Sequence, residues 1–408
     1  MSDRPLISVV AALELVLGHT RALAAEGVVL EAAAGRYLAE PLVASLDLPP
    51  FANSAMDGYA LRHKDTPGTL TVAGESAAGA PFDGLLGPGQ AVVISTGAVL
   101  PAGADAVAPI EWVRESADGH VEVPRAVPER NAIRDAGSDV AAGAELLAPG
   151  LRLGAAQLGV AASVGASSLR CRRLPSVAVL PTGSELRPAG EPLLRGQIYD
   201  SNGPMLRAAA ASAGARVTVV PRAGDTHPAH RAAFAAALAH DVVISVGGVS
   251  VGGHDLVRAV QRELGVEEVF WRVAMKPGKP LSFGVRERPG QQPALVFGLP
   301  GNPVSALVCF ELFVRPALAA LQGAAEPGPA FVPARLGAPV RRNAERDELI
   351  RVQRGADGSL TPTGGQQSHQ LAAAALADGL ARIRAGEGTL PAGAVVDYLP
   401  LGPSAGTC

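Results

Sequence analysis

The sequence contains very little lysine and asparagine. Of its 35 basic residues only Lys64, Lys276 and Lys279 are lysine, and there are five asparagines among 408 residues. Such a composition, rich in alanine, glycine and arginine, is typical of a coding bias under which a lysine persists mainly where its chemistry is required. We therefore expect the two lysines that lie three residues apart to mark a functional site.

Other absences exclude whole classes of protein. Cys171, Cys309 and Cys408 are isolated, so we expect neither a disulfide framework nor a CxxC metal pair. A formal charge of −3 and a pI near 6.3 give no basic surface for nucleic acid. No uninterrupted apolar run reaches the ~18 residues of a membrane span, and the N-terminus lacks the apolar stretch of a signal peptide. These features predict a cytoplasmic protein that binds neither nucleic acid nor membrane.

Local patterns predict four parts. Residues 8–26 and 153–164 have helical apolar spacing, so we expect two helices that pack on each other in an elongated helical part. Short β-like runs between Gly and Pro turns predict a β-rich insertion domain and a small C-terminal β domain. The predicted domain bounds are 1–50 with 141–172, 51–140, 173–324 and 325–408.

The third part alternates strand and helix patterns. The predicted strands are 176–181, 216–221, 241–248 and 294–300, and the predicted helices are 204–214, 228–240, 255–264 and 302–322. Repeated β-α order with apolar strands predicts a three-layer α/β domain with a mainly parallel sheet. The predicted fold class is therefore α/β multidomain.

Polar or glycine-rich segments follow these strands, at the edge where open α/β sheets bind ligands. The candidate residues there are Thr182, Glu185, Asp225, Gly247, Gly248, Ser250, Asp255, Pro300, Gly301, Asn302 and Pro303. Glycine loops and helix N-termini suit phosphate, and carboxylates beside a phosphate suit Mg²⁺. Taken singly, each segment is also an ordinary turn or helix cap, but their convergence on one edge favours a binding site.

The lysine pair lies in VAMKPGKPLSFG (273–284), between the last two of these strand ends. Lysine is a compact point charge suited to an oxyanion, and the alternating prolines stiffen the turn. A solvated turn is the alternative. In the insertion, NSAMDGYAL (53–61) contains Asp57, which could instead belong to a hairpin turn with Gly58. By local pattern, Asp139 is an ordinary turn residue.

Together these segments resemble the molybdopterin molybdotransferase family, also called MoeA and found as the E domain of gephyrin. The resemblance rests on NSAMDGYA, ISTGAVLPAGADAV, PTGSEL, YDSN, ISVGGVSVG, KPGKP and GLPGNPVS, in the family's order over nearly the whole chain. It implies a homodimer of four domains with a molybdopterin-binding α/β domain. The implied enzyme inserts molybdate into adenylylated molybdopterin and releases AMP in a Mg²⁺-dependent step, in a cleft that includes the insertion domain of the partner subunit.

The resemblance also implies roles for individual residues. Positions important for activity correspond to Asp57, Thr96, Asp139, Glu185, Asp225 and Asp255, of which Glu185 and Asp255 are the implied Mg²⁺ ligands. A molybdate-holding cluster corresponds to Lys276, Lys279, Ser305, Arg346 and Ser368, beside a turn shaped by Pro300 and Pro303. In the last domain, alanines replace the paired serines that the family commonly has after its Ser-His, which leaves tungstate handling open.

Two other functions remain possible at this point. A similar α/β domain occurs in molybdopterin adenylyltransferase, which is also a possible partner that hands over its product. The second alternative is a scaffold protein, because the related domain of gephyrin clusters receptors. The additional domains and KPGKP favour metal insertion over adenylyl transfer, and the retained acidic and lysine residues favour an enzyme over a scaffold.

Overall fold

The computed structural model describes residues 6–220, 222, 226–247 and 255–401. The chain begins with helix α1 (Val9–Gly18), followed by strands β1 (Ala25–Val29) and β2 (Leu42–Val43). The Ser8 side chain caps α1 by accepting a hydrogen bond from the Ala11 N–H at 3.1 Å. The helix expected over 8–26 was too long, because residues from Ala25 onward pair as an antiparallel strand and Gly27 lies inside that strand.

The insertion is built of short strands, as predicted. They are β3 (Asn53–Ser54), β4 (Gly58–Leu61), β5 (Gly68–Ser76), β6 (Gln90–Ile94), β7 (Ala106–Pro109), β8 (Arg114–Glu115), β9 (His120–Val123) and β10 (Ile133–Arg134). The main sheet has the order β7-β4-β6-β5-β9-β8, and β3 pairs separately with β10. Single 3₁₀ turns occupy Leu30–Ala32, His63–Asp65 and Ile110–Trp112.

The chain then returns to the N-terminal segment through β11 (Glu145–Leu147), α2 (Ala155–Ser163) and β12 (Ser168–Arg172). Strand β11 pairs with β2, and β12 pairs with β1. The expectation that α1 and α2 pack on each other was wrong. Val16 of α1 belongs to the core of the α/β sheet, whereas Ala161 of α2 packs with Val28 and Leu153 in a separate cluster.

The α/β part contains β13 (Ser176–Pro181), β14 (Leu186–Arg187), β15 (Ile198–Tyr199), α3 (Asn202–Ser212), β16 (Arg216–Val219), α4 (His227–Ala237), β17 (Val242–Val246), α5 (Asp255–Glu263), β18 (Glu267–Trp271), β19 (Met275–Lys276), β20 (Ser282–Arg286), β21 (Ala294–Leu299), α6 (Pro303–Cys309) and α7 (Arg315–Leu321). Its sheet has the order β16-β13-β17-β21-β20-β18. The first four strands are parallel, and β20 and β18 are antiparallel additions. The prediction of a mainly parallel sheet is confirmed, with an antiparallel edge that was not foreseen.

Helices α6 and α7 join through a π-helical turn (Phe310–Val314) into one apolar segment. By length and composition this segment could cross a membrane, but 78% of its apolar window is buried inside the protein. Phe310, Phe313 and Leu318 are completely buried in the main hydrophobic core, which explains the apolar composition.

The C-terminal part contains β22 (Val332–Arg335), β23 (Val340–Arg341), β24 (Asp347–Arg354), β25 (Leu360–Pro362), α8 (Leu371–Ala375), β26 (Gly379–Ile383), β27 (Thr389–Leu390) and β28 (Val395–Pro400). Its sheet has the order β19-β24-β26-β28-β22. Strand β19 comes from the lysine segment of the α/β part and pairs in parallel with β24. The lysine turn is therefore hydrogen-bonded to the C-terminal sheet.

Candidate active site

The carboxyl ends of β13, β17 and β21 meet at the point where the strand order reverses. Thr182 donates hydrogen bonds from its N–H and its Oγ1 to the Val246 carbonyl, at 3.0 and 2.9 Å. Gly247 has a φ of 86°, and a Cβ atom there would lie 3.0 Å from both oxygens of Thr182. Only glycine fits this close approach without strain. The sequence correctly placed these loops at one edge, and such a switch point is where open α/β sheets bind ligands.

The YDSN segment is fixed against the GLPGNP loop. Asn202, which is 9% exposed, donates a hydrogen bond from Nδ2 to the Gly301 carbonyl at 2.7 Å. Its Oδ1 is buried and has no hydrogen-bond partner in the structure. Asp200 caps the first turn of α3 by accepting from the Gly203 N–H at 2.8 Å. The two loops therefore form one rigid border of the crevice.

A cavity of about 470 Å³ opens beside this border, at the ends of β13 and β16. Apolar groups such as Pro181 and Val220 line it together with charged residues of both signs. The charged lining residues are Arg187, Glu191, Asp200, Arg207 and Arg222. An apolar cleft with a few polar groups at its rim is typical of a site for a small organic ligand.

Glu185 is the implied Mg²⁺ ligand whose side chain the structure describes. Its side chain is exposed and folds back over Gly183, since a Cβ atom on that glycine would lie 2.4 Å from Glu185 Oε2. Mg²⁺ at phosphate sites is commonly held by one or two carboxylates together with phosphate and water oxygens, so Glu185 fits such an ion. Within residues 6–220, 222, 226–247 and 255–401, no group of three or more His, Cys, Asp or Glu side chains converges on one point.

Several predicted residues cannot be placed. Asp225, Gly248 and Ser250 lie outside the described residues. Asp255 is the first residue of α5, but its side chain is also outside the description. Their roles therefore stay predictions.

The lysine turn rests on α6. Gly278 has a φ of 105°, and a Cβ atom there would lie 2.3 Å from Met275 Cε and 2.8 Å from Cys309 Sγ. Cys309 donates a weak hydrogen bond from Sγ to the Gly278 carbonyl at 3.7 Å. Burial raises the pKa of the Cys309 thiol, so the group stays neutral, as expected of a core cysteine. Lys276 and Lys279, on either side of Gly278, are both exposed.

The start of α6 holds the Ser368 loop. Asn302 donates from Nδ2 to Ser368 Oγ at 3.0 Å, and the Val304 N–H donates to the Ser368 carbonyl at 3.1 Å. Ser305 is 4% exposed, and it lies four residues before Cys309, on the same face of the helix. One short helix thus supports the Ser368 loop at its first turn and the lysine turn at its last.

Arg346 immediately precedes β24 and is half-buried. Asn343 Oδ1 accepts hydrogen bonds from the N–H groups of Glu345 and Arg346, at 3.0 and 3.1 Å, which fixes this turn. The Arg346 Nε atom is buried and has no hydrogen-bond partner in the structure. An unpaired buried donor of this kind is available to an anionic ligand.

Sequence reasoning missed Arg351, a completely buried arginine on β24 that is 1% exposed. Its guanidinium donates to the carbonyls of Gln367, at 3.2 Å, and Gly365, while Gln366 Oε1 accepts from its backbone N–H at 2.9 Å. Burial lowers the pKa of this guanidinium, although arginine remains charged in proteins. The residue anchors the loop immediately before Ser368. The signal in the sequence was a cation inside the apolar strand pattern ELIRVQ.

In the insertion, the structure brings together Asp57 and Thr96. The Thr96 N–H donates to Asp57 Oδ1 at 2.7 Å, and both residues are exposed. The hairpin alternative for Asp57 and Gly58 was wrong, because Gly58 begins β4, and a Cβ atom there would meet the Ala108 carbonyl at 2.0 Å. Asp139 is an exposed turn residue whose N–H donates to the Leu48 carbonyl at 2.9 Å.

Among the described residues, no hydrogen bond or ion pair joins Asp57, Thr96 or Asp139 to Lys276 or Lys279.

Comparisons with known proteins cover nearly the whole chain. Family models described as the MoeA N-terminal region (domain I and II), a probable molybdopterin binding domain and the MoeA C-terminal region (domain IV) match residues 7–165, 178–320 and 333–401. Molybdopterin molybdenumtransferase from Haemophilus influenzae is 42% identical over 300 residues, 72% of each chain. Molybdopterin molybdenumtransferase 2 from Mycobacterium tuberculosis is 40% identical over 374 residues, 86% of this chain and 89% of that one.

Solved structures agree with these matches. A crystal structure of the molybdopterin biosynthesis MoeA protein from Pyrococcus horikoshii has a TM-score of 0.81 at 33% identity, and covers 97% of this chain and 99% of that one. A second structure of a protein from that organism has a TM-score of 0.84 at 27% identity, with 97% and 100% coverage. The multidomain α/β architecture is therefore shared with these proteins.

Proposed function

The chain belongs to the MoeA family, and from that premise we propose that it inserts molybdenum into molybdopterin. In the finer form of the proposal the substrates are adenylylated molybdopterin and molybdate, and AMP is released. The observation that carries the proposal is the convergence on α6, where Asn302 holds Ser368 and Cys309 contacts the lysine turn. This convergence joins a candidate oxyanion site to the crevice of the α/β sheet.

The pterin nucleotide fits the sheet edge. The cavity of about 470 Å³ combines apolar walls with the arginines Arg187, Arg207 and Arg222, which suits a ring system that carries phosphates. The close-packed loops at Thr182 and Gly247 border the same edge. Adenylylated molybdopterin would therefore lie across the strand ends.

Molybdate is a tetrahedral dianion, and the lysine group suits it. Lys276, Lys279 and Arg346 supply positive charge, and Ser305 and Ser368 supply hydroxyl donors. Charge-assisted hydrogen bonds are the strong ones in oxyanion sites. We name these five residues the oxyanion cup. Its residues would orient molybdate toward the dithiolene of the bound pterin.

Glu185, together with Asp255, would hold Mg²⁺ next to the phosphoanhydride. Bound there, the ion supplies positive charge where negative charge develops as AMP departs. The side chains of this chain would position the phosphoanhydride so that water attacks it. Hydrolysis would leave AMP and the terminal phosphate of molybdopterin.

The remaining parts of the proposal concern assembly. We propose a homodimer of four-domain subunits in which Asp57, Thr96 and Asp139 of a second copy complete the cleft. Membership of the MoeA family, whose models match residues 7–165 and 333–401, supports this arrangement. A cytoplasmic location and direct transfer from a molybdopterin adenylyltransferase belong to the same proposal.

Lys276→Ala tests the proposed function. It should abolish molybdate-dependent AMP release from adenylylated molybdopterin while leaving nucleotide binding largely intact, because the lysine belongs to the cup and not to the cavity. Lys64→Ala is the matched control, since the Lys64 side chain is exposed on the turn 63–65, and it should behave like the wild type.

Normal AMP release by Lys276→Ala would show that the cup assignment is wrong. Pyrophosphate release by the wild-type protein from ATP and molybdopterin would instead identify an adenylyltransferase.

A further inference from the structure

Lys276 already has an anionic partner. Its Nζ lies 2.6 Å from Glu348 Oε1, and the parallel pairing of β19 with β24 places these two residues directly opposite each other. The lysine side chain is 49% exposed, whereas the glutamate is only 16% exposed. The backbone therefore fixes a mostly buried carboxylate beside a lysine that faces the proposed oxyanion.

The neighbouring carboxylate has a different role. Asp347 accepts hydrogen bonds from Arg382 at 2.6 and 2.8 Å and from the Ala385 N–H at 2.9 Å, so its charge is already paired. Within the part of the chain that the structure describes, Lys276 is the one cation that forms an ion pair with Glu348. The charge of Glu348 thus acts on the cup itself.

The charges of this group can be counted. Lys276, Lys279 and Arg346 carry three positive charges, and Glu348 carries one negative charge. The net charge of this group is therefore +2, which balances the charge of −2 on a tetrahedral dianion. Without the glutamate, three positive charges would face a ligand that carries two negative charges.

We propose that Glu348 limits the oxyanion affinity of the cup, so that the bound dianion can leave for the pterin. This inference depends on the proposed function, because it takes the lysine group to be the oxyanion site. Glu348 repels the anion and competes with it for Lys276. Tight binding of a substrate before reaction lowers KM without raising kcat, and it slows the chemical step when the reacting complex is not stabilised equally.

The expected size follows from the charge of the ligand. A unit charge about 6 Å away in a half-exposed site changes the affinity for a monoanion roughly three- to tenfold. The effect on a dianion is the square of that factor, roughly ten- to hundredfold, because the electrostatic energy scales with ligand charge. A structural defect would not produce this relation between two ligands.

The test is equilibrium binding of molybdate and of perchlorate, a tetrahedral monoanion, to Glu348→Gln at low ionic strength. We expect tighter binding of both, with the molybdate factor close to the square of the perchlorate factor, and a decrease of both factors in high salt. In turnover, the KM for molybdate and kcat should both decrease. Glu345→Gln makes the same charge change at an exposed neighbour and should alter binding little.

The controls separate this inference from the proposed function. If Lys276→Ala binds molybdate as the wild type does, the oxyanion cup itself is wrong. If Lys276→Ala loses binding but Glu348→Gln binds no more tightly than the wild type, only the role of Glu348 is wrong. Should the glutamine variant fail to fold, Glu348→Asp withdraws the carboxylate from Nζ, and unchanged molybdate affinity in that variant would also overturn the inference.

Discussion

Replacing Arg351 by methionine should release the Ser368 loop while leaving the C-terminal sheet folded. The guanidinium donates to the carbonyls of Gly365 and Gln367, which precede Ser368 in that loop. Among the described residues no carboxylate forms an ion pair with Arg351. Removing the charge therefore relieves a desolvation cost in the sheet, and methionine fills much of the same apolar space.

The size of the effect can be worked from these contacts. Each hydrogen bond from a charged donor contributes about 1.5 kcal/mol, so the closed loop loses about 3 kcal/mol relative to the open one. Because 1.4 kcal/mol corresponds to a factor of ten, loop opening should increase roughly 100-fold. Loss of the buried charge offsets part of this in the sheet, whose unfolding free energy should change by no more than about 1–2 kcal/mol.

Amide hydrogen exchange measures this opening directly. The Val304 N–H donates to the Ser368 carbonyl across the two parts of the protein, so its exchange reports on docking of the loop. Arg351→Met should accelerate exchange at Val304, and Arg354→Met, which alters an exposed arginine on the same strand, should not. Unchanged exchange at Val304 in Arg351→Met, or equal acceleration in both variants, would refute the reasoning.

Two further predictions concern Asp241, which immediately precedes β17 of the α/β sheet, and Gly278 of the lysine turn. Burial alone would raise the pKa of Asp241, but hydrogen bonds from Arg173 and neighbouring groups outweigh it and hold the pKa well below its usual range. Asp241→Asn should therefore lower the unfolding free energy by about 3–5 kcal/mol in urea titrations at pH 7. This difference in unfolding free energy should stay constant above the pKa of ~4 that Asp241 has in the unfolded state. It should shrink as the pH falls below that value, because protonation removes the wild-type advantage. A difference that does not change with pH would exclude the ionic cause. Gly278→Ala should lower the melting temperature and weaken molybdate binding, since its Cβ would meet Met275 and Cys309 at a φ of 105°, at a cost of about 1–3 kcal/mol. Adding Cys309→Ala should recover part of the loss, and no recovery would mean that backbone strain alone is responsible.

Much of the α/β part followed from the sequence because local pattern and tertiary environment agree there. The strand predicted over 176–181 was confirmed with the same bounds, since a buried parallel strand is a continuous apolar run. The helix expected over 8–26 was wrong beyond Gly18, because the chain leaves the helix there and the residues from Ala25 onward pair with β12 instead. The sequence did not predict strands β18 and β20, because each is only five residues long and lies between turn-like segments.

The chemistry of the oxyanion cup was only partly visible in the sequence. The lysine turn carries its own signal, two lysines in a chain that otherwise uses arginine. Glu348 carries no such signal, because its importance arises from the pairing of β19 with β24, and Arg351 shows only as a cation within an apolar strand. Contacts between segments some 70 residues apart in sequence have no local pattern. A buried cation in an apolar strand is the nearest available indication.

The five asparagines of this chain occupy positions that require their particular side chain, for a physical reason. Every asparagine side chain makes a hydrogen bond that fixes a turn or joins two segments: Asn53 to the Phe51 carbonyl, Asn131 to the Val107 carbonyl, Asn202 to the Gly301 carbonyl, Asn302 to Ser368 Oγ, and Asn343 to the Arg346 N–H. A short amide can donate to a carbonyl or accept from an N–H without bringing charge into a crowded turn, and it does so with fewer rotatable bonds to fix than glutamine has. Two of these five residues, Asn302 and Asn343, directly hold segments of the proposed oxyanion cup, whereas the exposed Lys64 lies in none of these contacts. Residues rare in a biased composition are therefore informative when their contacts depend on shape, and less so when they lie on an exposed turn.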